Sequence, residues 1–349
     1  TQRSQACAQG WCEAPDLNQP AQAMAGLAAT QPSTGVATSA EASTANAVDP
    51  RTVLLTGASG FIGSRIAAQL QARGLRVITA SRSSTPACDL AQMTQSADWL
   101  PWLQHTEPGQ PAPAPAASPP ERHPVDLVIN AVGALRDRAA RPLQALHADA
   151  PIALFEACAQ AGVRRVVQLS ALGIAGSDTA YARTKRQADE RLLAMTQAGQ
   201  LDGLVLRPSV VFGHGGESSA LFMALAQLPV LPLPAAARQQ PIQPMAVTEL
   251  AEAIVQLALG ESSGLVELGG ARALTMAEFI ASLRAQLGQR PARQMTLPRW
   301  ATQASARAGD ALPISPWCST ALALMSTPNA TNPDTLRTAL GREPTPPQA

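Results

Sequence analysis

The sequence predicts an α/β protein built on a doubly wound parallel sheet. From Arg51 onward, apolar segments of strand length alternate with segments of helix length. The strand segments are continuous runs of Val, Leu and Ile, which is typical of parallel strands buried on both faces. We predict strands at 53–55, 75–79, 127–131, 166–169 and 204–206, and helices at 62–72, 152–161 and 181–196.

Composition narrows the function classes. The chain of 349 residues has 26 basic and 25 acidic residues, so it offers nucleic acid no electrostatic footprint, and no nucleic-acid partner is expected. Its 46% hydrophobic and 15% charged residues are typical of a globular protein. The five cysteines have neither metal-ligand nor disulfide spacing, so we predict no metal site and a reducing compartment, the cytoplasm.

Three segments stand apart from this pattern. Residues 1–49 are rich in Ala, Gln, Ser and Thr and predict a disordered tail; the chain begins without Met, which leaves a lost targeting segment open. Residues 107–124 are rich in Pro and Ala and predict a disordered insertion. Residues 221–237 are apolar but interrupted by Gln and Pro, a poor membrane span. A hydrophobic binding wall or peripheral membrane association stays open there.

A glycine loop follows the first predicted strand directly, as Thr-Gly-Ala-Ser-Gly-Phe-Ile-Gly at 56–63, and a helix follows the loop. In this context the loop predicts binding of a dinucleotide. Gly57 permits a tight turn, Gly60 lets the backbone approach the pyrophosphate, and Gly63 allows close packing of the helix. The helix N-terminus then presents free N–H groups to the phosphates. We predict that the residues of this loop contact the dinucleotide, namely Gly57, Ser59, Gly60, Phe61, Ile62 and Gly63.

The residues at the end of the second strand recognise the substituent on the 2′ position of the adenosine ribose. It reads Val-Ile-Thr-Ala-Ser-Arg, without an Asp or Glu that could accept a hydrogen bond from the 2′-hydroxyl. Arg82 instead offers a guanidinium suited to a 2′-phosphate, which favours NADP(H) while leaving NAD(H) open. A solvated surface arginine is the alternative interpretation. Arg65, on the first turn of the preceding helix, is a second candidate with the same alternative.

These motifs resemble the extended and atypical short-chain dehydrogenase/reductases, a family with an NAD(P)-binding Rossmann domain that includes proteins of the NAD-dependent epimerase/dehydratase type. The Gly-x-x-Gly-x-x-Gly spacing of the loop is one match. The others are Cys88-Asp89-Leu90, Asn130-Ala131-Val132-Gly133, Leu169-Ser170-Ala171-Leu172-Gly173, Tyr181-x-x-x-Lys185, Arg207-Pro208-Ser209-Val210-Val211-Phe212-Gly213 and Gln243-Pro244-Met245-Ala246-Val247. The last departs from the epimerase pattern, which has Val-His where this chain has Met245-Ala246.

The resemblance implies further cofactor contacts. Asp89 and Leu90 match the pair that contacts adenine, and Lys185 matches a residue that binds the nicotinamide ribose. Cofactor contacts are also implied for Asn130, Ala131, Gly133 and Pro208.

The resemblance covers residues 51–290 and also implies a domain organisation. Residues 50–213 match an NAD(P)-binding Rossmann domain. Residues 214–349 are then expected to complete the Rossmann sheet and to form a small substrate-binding lobe. The Ser-Ala-Leu-Gly segment and the short spacing to Tyr181 look most like the atypical branch. That branch contains the nucleotide-binding accessory subunit of respiratory complex I and bacterial proteins described as nucleoside-diphosphate-sugar epimerases.

The candidate catalytic residues are Ser170, Tyr181 and Lys185. Tyr181 is the chain's only tyrosine, and it shares a helix face with Lys185 four residues later. A phenol has a pKa of about 10, and we expect the nearby ammonium and a positive nicotinamide ring to lower it. Tyr181 would then exchange a proton with a substrate oxygen while hydride moves, and Ser170 would hydrogen-bond that oxygen.

Three functions follow from these residues. The first is an NADP(H)-dependent oxidoreductase or nucleotide-sugar-epimerase-like enzyme acting on a small-molecule substrate. The alternative is a non-catalytic NADPH-binding structural or assembly protein, like the complex I subunit, and the third is a redox-sensing regulator. His214 is either a lining residue of the substrate cleft or incidental. Trp300 and Trp317 are candidates either for closing the cleft or for packing in the core. Packing is the role that a large apolar residue favours. The sequence does not specify the substrate or the oligomeric state.

Overall fold

The computed structural model describes residues 52–82, 84, 87–104, 125–139, 141–312 and 316–347. The predicted disordered tail (1–49) and insertion (107–124) lie outside the described residues.

The first half of the described chain alternates strands and helices with boundaries close to those predicted. The elements are β1 (Thr52–Thr56), α1 (Gly63–Ala72), β2 (Arg76–Ala80), α2 (Ser96–Leu103), β3 (Leu127–Asn130), α3 (Ala150–Ala161), β4 (Arg165–Leu169), α4 (Ala180–Gln197) and β5 (Asp202–Pro208).

The second half has shorter strands and more helices. Its elements are β6 (Val211–Phe212), α5 (Glu217–Ala226), β7 (Val230–Pro234), β8 (Pro241–Ile242), β9 (Met245–Ala246), α6 (Val247–Leu259), β10 (Gly264–Leu268), β11 (Leu274–Thr275), α7 (Met276–Gln286), β12 (Arg293–Leu297), α8 (Arg299–Ala311), α9 (Ser319–Met325) and α10 (Asp334–Leu340).

A six-stranded sheet forms the centre, in the order β2-β1-β3-β4-β5-β10, and every neighbouring pair is parallel. One face packs against α2, α3 and α4 through a core that includes Trp99, Phe155 and Leu192. The other packs against α1, α6 and α10 through Ile66, Ile254 and Leu336. The predicted fold class, a doubly wound α/β Rossmann sheet, is confirmed. The last strand, β10, comes from the carboxyl-terminal part of the chain.

The sheet has a topological switch point at β1, because its two neighbours lead in opposite directions. The connection through α1 covers one face, whereas α3, which follows β3, covers the other. In doubly wound sheets, ligands bind in the crevice that this divergence leaves at the carboxyl ends of the strands.

Local capping signals position the elements around that crevice. The Thr179 hydroxyl accepts a hydrogen bond from the Ala182 amide (3.2 Å) and begins α4, the helix of Tyr181. Gly162 ends α3 in the left-handed conformation, with φ of 79°. Thr275 and Glu278 form a capping box at the start of α7.

A smaller lobe with its own core lies beyond β5. Phe222, Leu231, Leu233 and Ile280 pack around Phe279, whose ring meets that of Phe212 edge-on. The lobe contains the parallel pair β7–β12 and the antiparallel pair β8–β11. Among the described residues, no helix is both long and apolar enough to cross a membrane.

Candidate functional site

A cavity of about 680 Å³ opens at the switch point, against the carboxyl ends of β1, β2 and β3. Its wall combines the glycine loop, the segments after β2 and β3, and the start of α5. The predicted cofactor contacts in this wall are Gly57, Ser59, Gly60, Phe61, Arg82, Asp89, Leu90, Ala131 and Gly133.

The glycine loop has the close packing that its sequence predicts. Gly57 has φ of 75°, and a Cβ there would lie 2.9 Å from the backbone of Ala131, so the loop rests directly on the end of β3. A Cβ on Gly63 would lie 2.1 Å from the Gly57 carbonyl oxygen, well inside contact distance. These contacts set the start of α1 against the turn, and the turn itself lines the cavity.

The segment after β2 turns back sharply and leaves Arg82 at the cavity. The Ser84 hydroxyl donates to the Ser81 carbonyl (2.6 Å), and the Cys88 amide donates to the same oxygen (2.8 Å). Arg82 is exposed, and its guanidinium makes no hydrogen bond or ion pair with the described residues. It is therefore available to an anion in the cavity.

The cavity carries an excess of positive charge. Four arginines line it, Arg82, Arg136, Arg138 and Arg141, against the carboxylates of Asp89 and Glu217. Arg136 is held in place by the carbonyl oxygens of Leu312 (2.5 Å) and Trp317 (3.0 Å). Such a lining concentrates anionic ligands.

Arg65 does not act as the second cavity arginine considered from the sequence. Its guanidinium donates to the carbonyl oxygens of His214 (2.6 Å) and Phe61 (3.1 Å). It ties the loop before α5 to the glycine loop. The side chain of His214 is exposed, and His214 is not part of the cavity wall in the described chain.

Asn130 lies under the cavity, with its amide occupied by the protein. Its Oδ1 accepts from the Thr56 hydroxyl (2.5 Å) and the Val132 amide (3.3 Å), and its Nδ2 donates to Gln168 (2.7 Å). Asn130 thereby orders the ends of β1, β3 and β4. Four other predicted cofactor contacts also stand outside the cavity wall, namely Ile62, Gly63, Lys185 and Pro208.

Lys185 lies immediately behind the cavity wall. It is 3% exposed, and its ammonium donates to the carbonyl oxygens of Val132 (3.0 Å), two residues after β3, and Leu169 (2.9 Å), the last residue of β4. Val132 and its neighbour Gly133 both line the cavity. Burial lowers the pKa of Lys185 to about 8, although the negative charge of Asp189 opposes that effect.

Tyr181 stands one helical turn before Lys185 and is half-buried. Its hydroxyl makes no hydrogen bond with the described residues, which leaves it free for a ligand. Burial, and then the negative charge of Asp189, raise its pKa to about 12. The expectation from the sequence was the reverse. In this structure the Lys185 ammonium is turned toward backbone carbonyls, and burial disfavours the phenolate.

Ser170 is engaged by a buried ion pair that the sequence analysis missed. Its hydroxyl donates to Oδ2 of Asp189 (2.8 Å), and the same oxygen accepts from Nε (3.0 Å) and Nη2 (2.9 Å) of Arg207. Asp189 is fully buried, and burial raises its pKa against the opposing effects of Ser170 and Arg207. With its proton donated to Asp189, Ser170 presents only oxygen lone pairs to a ligand.

His147 was also missed. It lies in a π-helical turn, Ala145–Asp149, is 1% exposed, and meets the Tyr181 ring edge-on at 5.3 Å between centroids. Its Nε2 accepts from the amide of Ala134 (3.0 Å), a residue of the cavity wall, and its Nδ1 faces the Thr184 hydroxyl (3.3 Å). Burial, then Lys185, lower its pKa to about 2. It is a neutral link between Tyr181 and the cavity wall.

The arginines after β3 had a signal in the sequence. Arg136, Arg138 and Arg141 fall within six residues, directly after the Asn-Ala-Val-Gly segment. His147 and Asp189 had none, because neither belongs to a motif that the spacing singles out. In the described part of the chain, no cluster of three His, Cys, Asp or Glu side chains could hold a metal ion.

Comparison with known proteins places the chain in a family. Residues 53–228, just over half of the chain, match the family model for the NAD dependent epimerase/dehydratase family. No curated protein matches the sequence.

Several solved structures share the fold. One is dTDP-glucose 4,6-dehydratase from Bacillus anthracis str. Ames in complex with NAD, with TM-score 0.59 and 16% identity over 84% of this chain and 91% of that one. Another is UDP-glucose 4-epimerase from Thermus thermophilus in complex with NAD, with TM-score 0.54 and 21% identity over 83% and 98%. A third is UDP-N-acetylglucosamine 4-epimerase from Bacillus cereus, with TM-score 0.53 and 16% identity over 85% and 99%.

The predicted family resemblance is confirmed in its broad form, whereas the resemblance to the complex I branch stays a prediction. The sheet order, the glycine loop and the family match agree. The chain belongs to the NAD-dependent epimerase/dehydratase family, and this membership supports a nicotinamide dinucleotide cofactor and an activity of oxidoreductase or epimerase type.

Proposed function

We propose that this chain is an NADP(H)-dependent oxidoreductase or nucleotide-sugar-epimerase-like enzyme that moves a proton through Tyr181, assisted by Lys185 and Ser170. One observation carries the proposal. The Lys185 ammonium is bonded to the carbonyl of Val132, a residue of the cavity wall, so the Tyr181–Lys185 pair stands directly behind a cavity built on a glycine loop.

The described residues fit a phosphorylated dinucleotide. Without side chains at Gly57 and Gly60, the backbone can approach a pyrophosphate at the N-terminus of α1. The unpaired guanidinium of Arg82 would hold a 2′-phosphate, and no carboxylate at the end of β2 competes with it. Asp89 and Leu90 would border the adenine.

The pKa of Tyr181 suits it to donate a proton. The bound dinucleotide supplies or accepts the hydride. With a pKa of about 12, Tyr181 is protonated at neutral pH, so it would act as the general acid when a carbonyl is reduced. In the reverse reaction, the oxidation of a substrate hydroxyl, Tyr181 must accept the proton as a phenolate. A cation close to the phenol would favour that form. Ser170, whose proton is donated to Asp189, would position the substrate by accepting a hydrogen bond from a substrate hydroxyl, because it has no proton left for a carbonyl oxygen.

Cofactor preference is tested by titrating the protein with NADPH and NADH. We expect NADPH to bind roughly ten- to a hundredfold more tightly than NADH. This is the difference in affinity that one charged hydrogen bond, from Arg82 to the 2′-phosphate, provides. Arg82→Gln should lose that preference by weakening NADPH alone. Arg73→Gln, an exposed arginine at the end of α1, is the matched control and should change nothing. Equal affinity for both nucleotides in the wild type would refute the proposed preference.

The same variants separate the enzyme from the non-catalytic alternative. One observation favours that alternative: the Ser170 hydroxyl donates its proton to Asp189 and therefore cannot donate it to a substrate oxygen. Turnover is followed as NADPH oxidation across carbonyl compounds and as conversion of nucleotide sugars. Tyr181→Phe should bind NADPH normally and lose turnover. Tight NADPH binding by a wild type that converts none of these compounds would favour the structural protein.

A further inference from the structure

Exposed apolar side chains concentrate on the small lobe. Seven large hydrophobic residues of the described chain are exposed, and five belong to two segments of this lobe, 228–230 and 287–300: Leu228, Val230, Leu287, Met295 and Trp300. Trp300, 74% exposed, is the most exposed of all. A tryptophan at this exposure is neither in the core nor in the cavity wall, the two places considered for it from the sequence.

Strand register puts several of these residues on one face. In the β7–β12 pair, Val230 is opposite Arg293 and Pro232 is opposite Met295. The alternate residues of β7, Leu231 and Leu233, are 2% and 4% exposed and pack into the lobe core. Since side chains alternate along a strand, Val230, Arg293 and Met295 share the outer face of the ribbon.

Trp300 follows this ribbon at the start of α8. The helix buries Thr302, Ala306 and Gly309 along one side. Trp300 lies two positions before Thr302, hence on the opposite side of the helix. Arg299 and Arg307 on the same helix are exposed.

Two segments of this lobe carry basic side chains only. Residues 218–248 and 279–309 contain no Asp or Glu, in a chain whose net charge is only +1. Their arginines are the buried Arg284 and the exposed Arg238, Arg290, Arg293, Arg299 and Arg307. No carboxylate of the described residues forms an ion pair with the five exposed guanidinium groups.

We propose that the exposed side chains of Leu228, Val230, Arg293, Met295, Arg299 and Trp300, together called the basic apolar face, dock the protein on a membrane surface that contains anionic lipid. Arginines would meet the headgroups, and the apolar side chains would enter the interface, where tryptophan is favoured.

Two other occupants fit less well. A second copy packed on this face by two-fold symmetry would oppose arginine to arginine, because each subunit presents the same patch. A nucleic acid would satisfy the arginines but would leave the aliphatic Leu228, Val230 and Met295 without a role. An anionic bilayer would contact both kinds of residue, the arginines through its headgroups and the apolar side chains through its interface.

Cosedimentation of the whole protein with lipid vesicles tests the proposal. One set is phosphatidylcholine alone, and the other contains phosphatidylglycerol at about one lipid in three. We expect binding to the anionic set only, weakening with added salt. Neutralising one arginine should weaken partitioning roughly fivefold, so the double variant of Arg293→Gln and Arg299→Gln should lose roughly twenty-five-fold.

Matched variants identify the face. The double variant of Arg73→Gln and Arg272→Gln removes equal charge elsewhere, and Leu265→Ser removes an exposed apolar residue at the sheet edge. Both controls should bind like the wild type, whereas Trp300→Ser should bind less. NADPH binding checks that each variant is folded. No binding to anionic vesicles, equal loss in face and control variants, or self-association through this face in the absence of lipid would overturn the proposal.

Discussion

His147 shows at the scale of one residue how burial decides protonation. Because Nε2 accepts a hydrogen bond from the Ala134 amide, the proton of the neutral ring belongs on Nδ1, toward Thr184. The Thr184 hydroxyl in turn donates to the Ala180 carbonyl (2.9 Å). A protonated ring would lose the first of these bonds and would place a second cation near Lys185.

We predict that His147 makes the fold sensitive to acid. The pKa of His147 in the folded protein is about 2, below the usual 6.5, so the unfolded chain binds the proton first as the pH falls. The stability contribution is complete above pH 6.5 and declines from there toward pH 2. The slope is about 1.4 kcal/mol per pH unit in the free energy of unfolding.

Denaturant unfolding between pH 7 and pH 5 (~2 pH units, a window that avoids most carboxylates) measures this slope. His147→Gln, whose amide oxygen can still accept from Ala134, should remove it. His214→Gln, an exposed histidine, should keep it. Identical slopes in the wild type and in His147→Gln would contradict the assignment.

At the scale of elements, α1 and the glycine loop form one unit. The loop touches the end of β3 at Gly57, and the helix touches the loop at Gly63. The sequence predicts this arrangement because glycine spacing reports local backbone geometry. It does not predict the role of α5, whose first turn joins the cavity wall through long-range packing of the lobe.

We predict that Gly63→Ala weakens nucleotide binding strongly. Its Cβ would lie 2.1 Å from the Gly57 carbonyl oxygen, so the start of α1 must shift. The matched control is Gly74→Ala, at φ of 75° with open space around the added Cβ, where only a backbone penalty of about 1 kcal/mol is expected. NADPH titration should therefore show a large loss for Gly63→Ala and almost none for Gly74→Ala. Comparable affinities in the two variants would contradict the steric argument.

At the scale of the whole molecule, the cavity joins the sheet to the lobe. Its wall takes Gly57 and Arg82 from the sheet side, and Gly216 and Ser219 from the lobe. A ligand that contacts both sides binds only the folded protein and stabilises it by mass action.

We predict that NADPH at about one hundred times its Kd raises the free energy of unfolding by about 2.7 kcal/mol. Thermal unfolding with and without nucleotide measures the effect as a rise in Tm. Arg82→Gln at the same NADPH concentration should gain less, because its Kd is weaker. A rise of equal size with NADH at the same concentration would count against recognition of the 2′-phosphate.

The sequence by itself determined the doubly wound sheet, the turn at Gly57, the close packing at Gly63 and the helix that carries Tyr181 and Lys185. Each of these depends on periodicity or spacing within a few residues. Only the tertiary structure decided the raised pKa of Tyr181, the partners of Ser170 and the exposure of Val230 beside Arg293. The reason is that burial and charge add up in space, from residues as far apart in the chain as Val132 and Lys185, or Val230 and Arg293.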